Sequence, residues 1–93
     1  MENDYKVNFN DYSFMDEEGT YTGTLVYKRY GKKKNMLANI DLDDGRKIIT
    51  AAYSDDNNYL GLVDIDVDSK VEVTFNKTKS GLVRLKEINA ISE

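Results

Sequence analysis

The sequence predicts a small all-β domain, a five-stranded antiparallel barrel with Greek-key connections and one short helix. Stretches rich in Thr, Val, Ile and Tyr alternate polar and apolar residues, and turn motifs separate these stretches. Proline is absent from all 93 residues. Branched and aromatic side chains suit a pleated strand, whereas proline cannot donate a hydrogen bond inside a sheet. A chain of this length is expected to form one domain with a modest core.

The predicted strands are separated by recognisable breaks. Gly23 lies within the first strand and indicates a bulge or a bend. An Asp-Asp-Gly sequence at residues 43–45 predicts a tight hairpin, and KTKSG at residues 77–81 predicts a second one. A change of register is expected near Glu87 in the last strand. The five predicted strands span residues 20–30, 36–42, 46–53, 69–76 and 82–91.

The stretch between the third and fourth strands breaks the alternation. Residues 54–66 predict a short helix or an irregular loop, because residues 54–56 are good helix caps. Side chains at helical spacing follow them. These side chains are Tyr59, Leu60 and Val63. The predicted core of the strands consists of Val71, Val73, Phe75, Val83 and Leu85.

This order of elements over residues 20–91 resembles the oligonucleotide/oligosaccharide-binding (OB) fold. That fold is a five-stranded Greek-key barrel with a helix between its third and fourth strands. The resemblance rests on element order and loop placement, and other small barrels, including SH3-like ones, give a similar pattern. We therefore expect residues 20–93 to form an OB-like barrel domain. Residues 1–19 are expected to be an acidic arm or an extra strand that closes the barrel.

Charge is unevenly distributed along this acidic chain, whose formal net charge is -4. Five of its thirteen basic residues lie between Lys28 and Lys34, and residues 69–86 carry a net charge of +4. The first twenty residues and residues 54–68 each carry -5. Positive charge is thus confined to two segments, which predicts a basic surface if the fold brings them together.

The resemblance implies that a ligand lies across the second and third strands, between the loop that precedes the second and the loop that follows the fourth. These loops are GKKKN and NKTKSG. Lysines of these loops would contact phosphates, and Tyr30 and Tyr53 would stack on bases. Asn35 and Asn39 would form hydrogen bonds with the edges of bases. Loop lysines are also common as a simply solvated surface. The predicted nucleic-acid-binding residues are Lys28, Tyr30, Lys32, Lys33, Lys34, Asn35, Tyr53, Lys77, Lys79, Arg84 and Lys86.

The sequence gives no reason to expect catalysis, a metal or another cofactor. It contains neither cysteine nor histidine, and no nucleophile has a recognisable partner. Residues 64–75 begin like a calcium loop, but Ser69 stands where glycine is required and Phe75 where glutamate is required. The first residues do not resemble a secretion signal, and no apolar run is long enough to span a membrane. These patterns predict a cytoplasmic protein.

The function predicted from these observations is binding of single-stranded nucleic acid, preferably DNA, with little sequence specificity. The alternative is a protein-binding small β-barrel, such as an inhibitor or accessory subunit encoded by a phage or mobile element. In that case the acidic N-terminal segment, with its aromatic residues, would contact the partner. A basic groove flanked by aromatic rings would favour nucleic acid, and an acidic face with exposed apolar rings would favour a protein. The sequence does not predict the oligomeric state.

Overall fold

Six strands form one mixed sheet in the computed structural model, which describes residues 9–31, 35–53 and 57–91. Their order across the sheet is β1-β4-β3-β2-β5-β6, and only the β1–β4 pair is parallel. The predicted all-β class is confirmed. The sheet has six strands rather than five and is not closed into a barrel. The elements are β1 (Ser13–Phe14), β2 (Gly19–Tyr30), β3 (Asn35–Leu42), β4 (Lys47–Tyr53), α1 (Asn57–Asp64), β5 (Lys70–Lys77) and β6 (Val83–Ala90).

The long strand β2 pairs with two neighbours and bends where it passes from one to the other. Residues 19–24 pair with β5, whereas residues 23–30 pair with β3, so Gly23 lies opposite both Val71 and Leu42. A Cβ atom on Gly23 would approach the backbone oxygen of Asp41 to 2.5 Å. A shift of register follows between Leu25 and Tyr27. The expected bend is confirmed at Gly23, and the bulge lies just beyond it.

Both predicted hairpins are confirmed, and they use the same turn. In the first, the Leu42 amide donates to the Arg46 carbonyl, and the Gly45 amide donates to the Leu42 carbonyl. The second repeats this pattern between residues 78 and 82. The glycine of each turn has positive φ, 99° at Gly45 and 91° at Gly81. This is the left-handed conformation that a three-residue hairpin loop requires.

The hydrophobic core lies on the concave side of the sheet. Val71, Val73 and Phe75 of β5 are buried as predicted, whereas Val83 and Leu85 of β6 are half-buried and pack against the core. The expected change of register is confirmed, because Phe75 pairs with Leu85 and its neighbour in β5 pairs with Glu87. The largest share of the core, six of the fourteen residues of the core cluster, comes from the alternate residues of β3 and β4. These are Met36, Ala38, Ile40, Leu42, Ile48 and Ala52.

The helix α1 covers the open end of the core. Leu62 is its fully buried residue, and Tyr59 and Val63 are half-buried against the core. The short helix expected here is confirmed, and Leu60, one of the three residues at helical spacing, is exposed. The predicted caps, residues 54–56, lie outside the described residues. No helix in the described part of the chain has the length and apolar character needed to cross a membrane.

The N-terminal segment, defined here as residues 9–15, adds a strand to the edge of β4. A short 3-10 turn at Phe9–Asp11 leads into β1, whose Ser13 and Phe14 pair with Ile48 and Ile49. Met15 is buried in the core cluster. This part of the chain therefore belongs to the sheet, while residues 1–8 lie outside the described residues.

Replacing Phe75 with alanine should remove the largest aromatic contact of the core. We expect the free energy of unfolding to fall by about 3–5 kcal/mol, a large loss for a small domain. Urea denaturation followed by circular dichroism measures it. Leu60→Ala is the control, because an exposed side chain should change stability by no more than about 0.5 kcal/mol. Equal effects of the two variants would contradict this description of the core.

Two glycine-to-alanine variants should change stability in opposite directions. Gly23→Ala places a methyl group against the Asp41 backbone and should destabilise the fold by about 1–3 kcal/mol. Gly61→Ala lies in α1, where the nearest atom to the new Cβ is the Ile88 oxygen at 3.8 Å. It should stabilise the protein by up to about 1 kcal/mol, because alanine is the better helix former. If Gly23→Ala left the free energy of unfolding unchanged, β2 would not need the close approach of the Asp41 backbone at this position.

Candidate ligand-binding groove

An aromatic ring and a guanidinium meet where β4 approaches β6. The guanidinium carbon of Arg84 lies 5.7 Å from the centroid of the Tyr53 ring, within the range of a cation–π contact. Tyr53 ends β4 and pairs with Asn35 of β3, and Arg84 is the second residue of β6. Both side chains are exposed. Two predicted site residues that are far apart in sequence are therefore neighbours.

A groove runs between β4 and β6 beneath this contact, because the two strands approach without pairing in the described structure. Its cavity of about 130 Å³ extends from polar side chains at the rim down to Phe75 in the core. Phe14 of β1 forms one wall and Leu82 continues the other, and they are 65% and 64% exposed. This site, called the β4–β6 groove below, is lined by Phe14, Met15, Tyr53, Leu82, Val83 and Arg84.

The two lysine-bearing hairpins lie at opposite ends of β2, and a residue beside the base of each lines the groove. The β2–β3 hairpin follows Tyr30, whereas the β5–β6 hairpin lies beside Glu18, whose carboxylate accepts from the Lys77 amide at 3.2 Å. The curl of the sheet brings Tyr53, next to the base of the first hairpin, against Arg84, next to the base of the second. Lys32, Lys33 and Lys34 lie outside the described residues.

The two predicted stacking residues do not share a face of the sheet. Tyr53 pairs with Asn35, whereas Tyr30 pairs with Met36, whose side chain is buried on the opposite, core-facing side. Tyr30 is 69% exposed because it lies at the end of its strand. Tyr53, which is 40% exposed, is the ring that lines the groove.

Lys28 has a structural role in addition to any role in binding. Its ammonium group donates to the carbonyls of Leu62 and Val63 at 3.0 and 2.8 Å, and also to that of Ile65. Leu62 and Val63 lie in the last turn of α1 and Ile65 follows the helix, so the ammonium group lies at the C-terminal end of α1, where positive charge is favourable. A phosphate could engage Lys28 only in competition with these hydrogen bonds.

The remaining described residues of the predicted site do not line the β4–β6 groove. Lys77 and Lys79 are exposed on the β5–β6 hairpin, and Lys86 is exposed two residues beyond Arg84. Asn35 lies at the base of the β2–β3 hairpin, and its side-chain oxygen is buried against Gly31 without a hydrogen-bond partner.

Sequence reasoning missed Phe14 and Leu82 as groove residues. Leu82 carried a detectable signal, because it shares the alternation of Arg84 and Lys86, two polar residues on the outer face. An apolar residue in that register is expected to be exposed. Phe14 gave no such signal, since a strand of two residues has no pattern to read.

The N-terminal segment is attached beside the groove by Tyr12. Its hydroxyl donates a short hydrogen bond to the carboxylate of Asp41, and the Lys47 ammonium lies 5.4 Å from the centroid of its ring. Burial, together with the neighbouring carboxylate, raises the pKa of Tyr12 above its usual value. Tyr12 therefore remains a protonated donor at neutral pH, and it holds the segment that carries Phe14.

No protein-family model matches this chain, and no curated protein is significantly similar to it in sequence. The arguments about function therefore rest on the geometry of the groove and on the residues around it.

Removing the ammonium of Lys28 should destabilise the fold. Lys28→Met keeps most of the apolar stem but removes the ammonium donor from three carbonyls at the end of α1, of which that of Leu62 still accepts from the Ile65 amide. We expect a loss of about 1–3 kcal/mol in the free energy of unfolding, measured by urea denaturation. Lys79→Met is the control, since Lys79 lies exposed in a turn and should have little effect. If Lys28→Met were as stable as the control, the hydrogen bonds to α1 would contribute nothing.

Proposed function

We propose that this protein binds single-stranded nucleic acid, with DNA preferred, across the β4–β6 groove. The observation that carries the proposal is the contact between Tyr53 and Arg84 at an open groove. Tyr53 pairs with Asn35, at the base of one hairpin, and Arg84 follows the other. In sequence, these hairpins contain Lys32, Lys33, Lys34, Lys77 and Lys79. An exposed ring beside a cationic surface is the combination that single-strand binders use.

The chemistry of the groove suits this ligand. A base can stack on Tyr53, a contact worth about 1–3 kcal/mol in comparable proteins. Arg84 can neutralise a phosphate while it remains beside the ring, and Lys86 extends the positive surface along β6. Contacts of this kind read the backbone and the flat face of a base, so little sequence specificity is expected. The proposed role is binding without catalysis, in the cytoplasm.

An OB-like relationship is part of the proposal. Two features support it. One long bent strand pairs with both of its neighbours, and a helix lies between the third and fourth of the five long strands. In an OB barrel the last strand would close against β4. In this chain the groove and β1 occupy that position, which makes the proposed binding surface more open on that side.

Recognition of a protein is the second candidate function. Phe14 and Leu82 favour it, because they are large, apolar and well exposed on opposite walls of the same groove. Clustered exposed apolar side chains are typical of protein-binding surfaces. Asp16 also lines this end of the groove and would repel a phosphate. The partner would be a small protein target, as expected of an inhibitor or accessory subunit.

Titration with a single strand of about 20 nucleotides tests the first function, with quenching of tyrosine emission as the signal. Lys32, Lys33 and Lys34 changed together to alanine should weaken binding to every sequence. Each lost phosphate contact should also lower the slope of log affinity against log salt by about 0.7. Tyr53→Ala should weaken binding by at least fivefold with little change of slope, because stacking releases no counterions.

Tyr30→Ala is the matched control for Tyr53→Ala, since it removes an exposed tyrosine from the opposite face. We expect it to bind nearly as well as the natural protein. No binding at low salt would reject the nucleic-acid function and leave the protein-binding candidate. Equal losses for both tyrosine variants would place the bound strand elsewhere than in the groove.

A further inference from the structure

Asn39 is a buried polar residue on the outer face of the sheet. Its neighbours in β3, Ala38 and Ile40, face the core, so alternation directs Asn39 to the other side. The register sets it between Tyr27 of β2 and Ile49 of β4, on the face that also carries Tyr53. Its exposure is nevertheless 0%. Asn39 is therefore covered on a face of the sheet that elsewhere carries exposed side chains such as Tyr53.

The amide of Asn39 has no hydrogen-bond partner in the described structure, at either its oxygen or its nitrogen. A buried amide without partners costs stability, and such groups are rare in folded proteins. An aliphatic side chain of similar size would pack at this position without that cost. The folded state thus gives no reason for an amide here, whereas a hydrogen-bonding ligand would.

The N-terminal segment reaches the same face of the sheet two residues from Asn39, through a short strand and a few polar contacts. Tyr12 bonds to Asp41, the next residue of β3 on the same face, and Lys47 bridges to Asp41 at 3.3 Å. The strand β1 contributes only two pairs to the sheet. Met15 anchors the C-terminal end of the segment in the core. The two-residue strand and the polar contacts before Met15 are the part of the segment that opens most readily.

We propose that Asn39 is a hydrogen-bonding site for a nucleobase edge, on a part of the ligand face that the N-terminal segment covers and that a bound single strand uncovers. The inference rests on the proposed nucleic-acid function. Asn39 lies four residues along β3 from the row of Tyr53, or about 13 Å. A strand stacked on Tyr53 reaches it by continuing along the same face. An asparagine amide matches the donor and acceptor of adenine, which gives a modest preference for that base.

Asn39→Leu tests the site, with (dA)20 and (dT)20 as the probes. The variant should unfold at a higher urea concentration than the natural protein, because the unpaired amide is gone. It should bind (dA)20 about tenfold more weakly, the loss expected for one good base contact. The salt dependence should not change, because an amide neutralises no phosphate. Asn39→Ala, which adds no volume, should show the same loss of affinity if leucine does not fit.

Tyr12→Phe tests whether the N-terminal segment covers Asn39. It removes the hydroxyl that bonds to Asp41 and keeps the ring, so the open form should be more populated. Affinity for (dA)20 should increase several-fold, because the cost of opening falls. Tyr59→Phe is the control, since Tyr59 lies on α1 and should leave affinity unchanged. Weaker or unchanged binding by Tyr12→Phe would overturn the proposal that the N-terminal segment covers Asn39.

The outcomes separate this inference from the proposed function. If the natural protein binds neither oligonucleotide, the proposed function fails and the inference fails with it. If the natural protein binds and the Asn39 variants bind equally well, the inference alone is overturned. A marked loss of stability in Asn39→Leu, with Asn39→Ala unable to reproduce the loss of affinity, would show that the amide serves the fold.

Discussion

The architecture depends on the bend of β2 at Gly23. One strand can pair with β5 along its first half and with β3 along its second half only if it turns between them. The absence of a side chain at Gly23 allows the backbone of Asp41 to approach closely at that point. The sheet then curls, and β4 and β6, which are four positions apart in the sheet, approach each other. The groove and the contact between Tyr53 and Arg84 are consequences of this curl.

The ends of the curled sheet are completed by two short elements. The helix α1 buries Leu62 in the core, and the ammonium of Lys28 satisfies the carbonyls at its C-terminal end. Asn58 donates to the Lys86 carbonyl at 2.8 Å, which attaches the start of the helix to β6. On the other side, β1 occupies part of the edge of β4. A small domain thus closes its core without hydrogen bonding the last strand to β4.

This construction leaves an open strip whose charges and rings come from distant parts of the chain. Phe14 comes from the N-terminal segment, Tyr53 from β4, and Leu82 and Arg84 from the β5–β6 hairpin. The described acids of the negative stretch, Asp64, Asp66 and Asp68, lie at the end of α1 and just after it, and none of them lines the groove. Asp41, the acid nearest to Asn39, is balanced by Lys47. The outer face of the sheet thus contains an exposed region at Tyr53 and a buried region at Asn39.

Much of the fold could be predicted from the sequence because it depends on local chemistry. Alternation identified the five long strands and the inward positions Val71, Val73 and Phe75, and turn glycines located both hairpins. The bend at Gly23 and the register change near Glu87 were also foreseen. These features follow from side-chain period and backbone conformation, which neighbouring residues determine. The clustering of lysines in two hairpins was likewise determined by the sequence alone.

The features that only the tertiary structure decided involve contacts between distant residues. Alternation shows which face of the sheet Tyr30 and Tyr53 occupy only when the pairing of the strands is known. The observed pairing sets the two residues on opposite faces. Alternation directs Asn39 outward but does not reveal what covers it. The sequence places Lys28 next to a basic loop. Only the tertiary structure shows that its ammonium group bonds to carbonyls at the end of α1. The added strand β1 and the open β4–β6 groove depend on how far the whole sheet curls, which no single segment of the chain specifies.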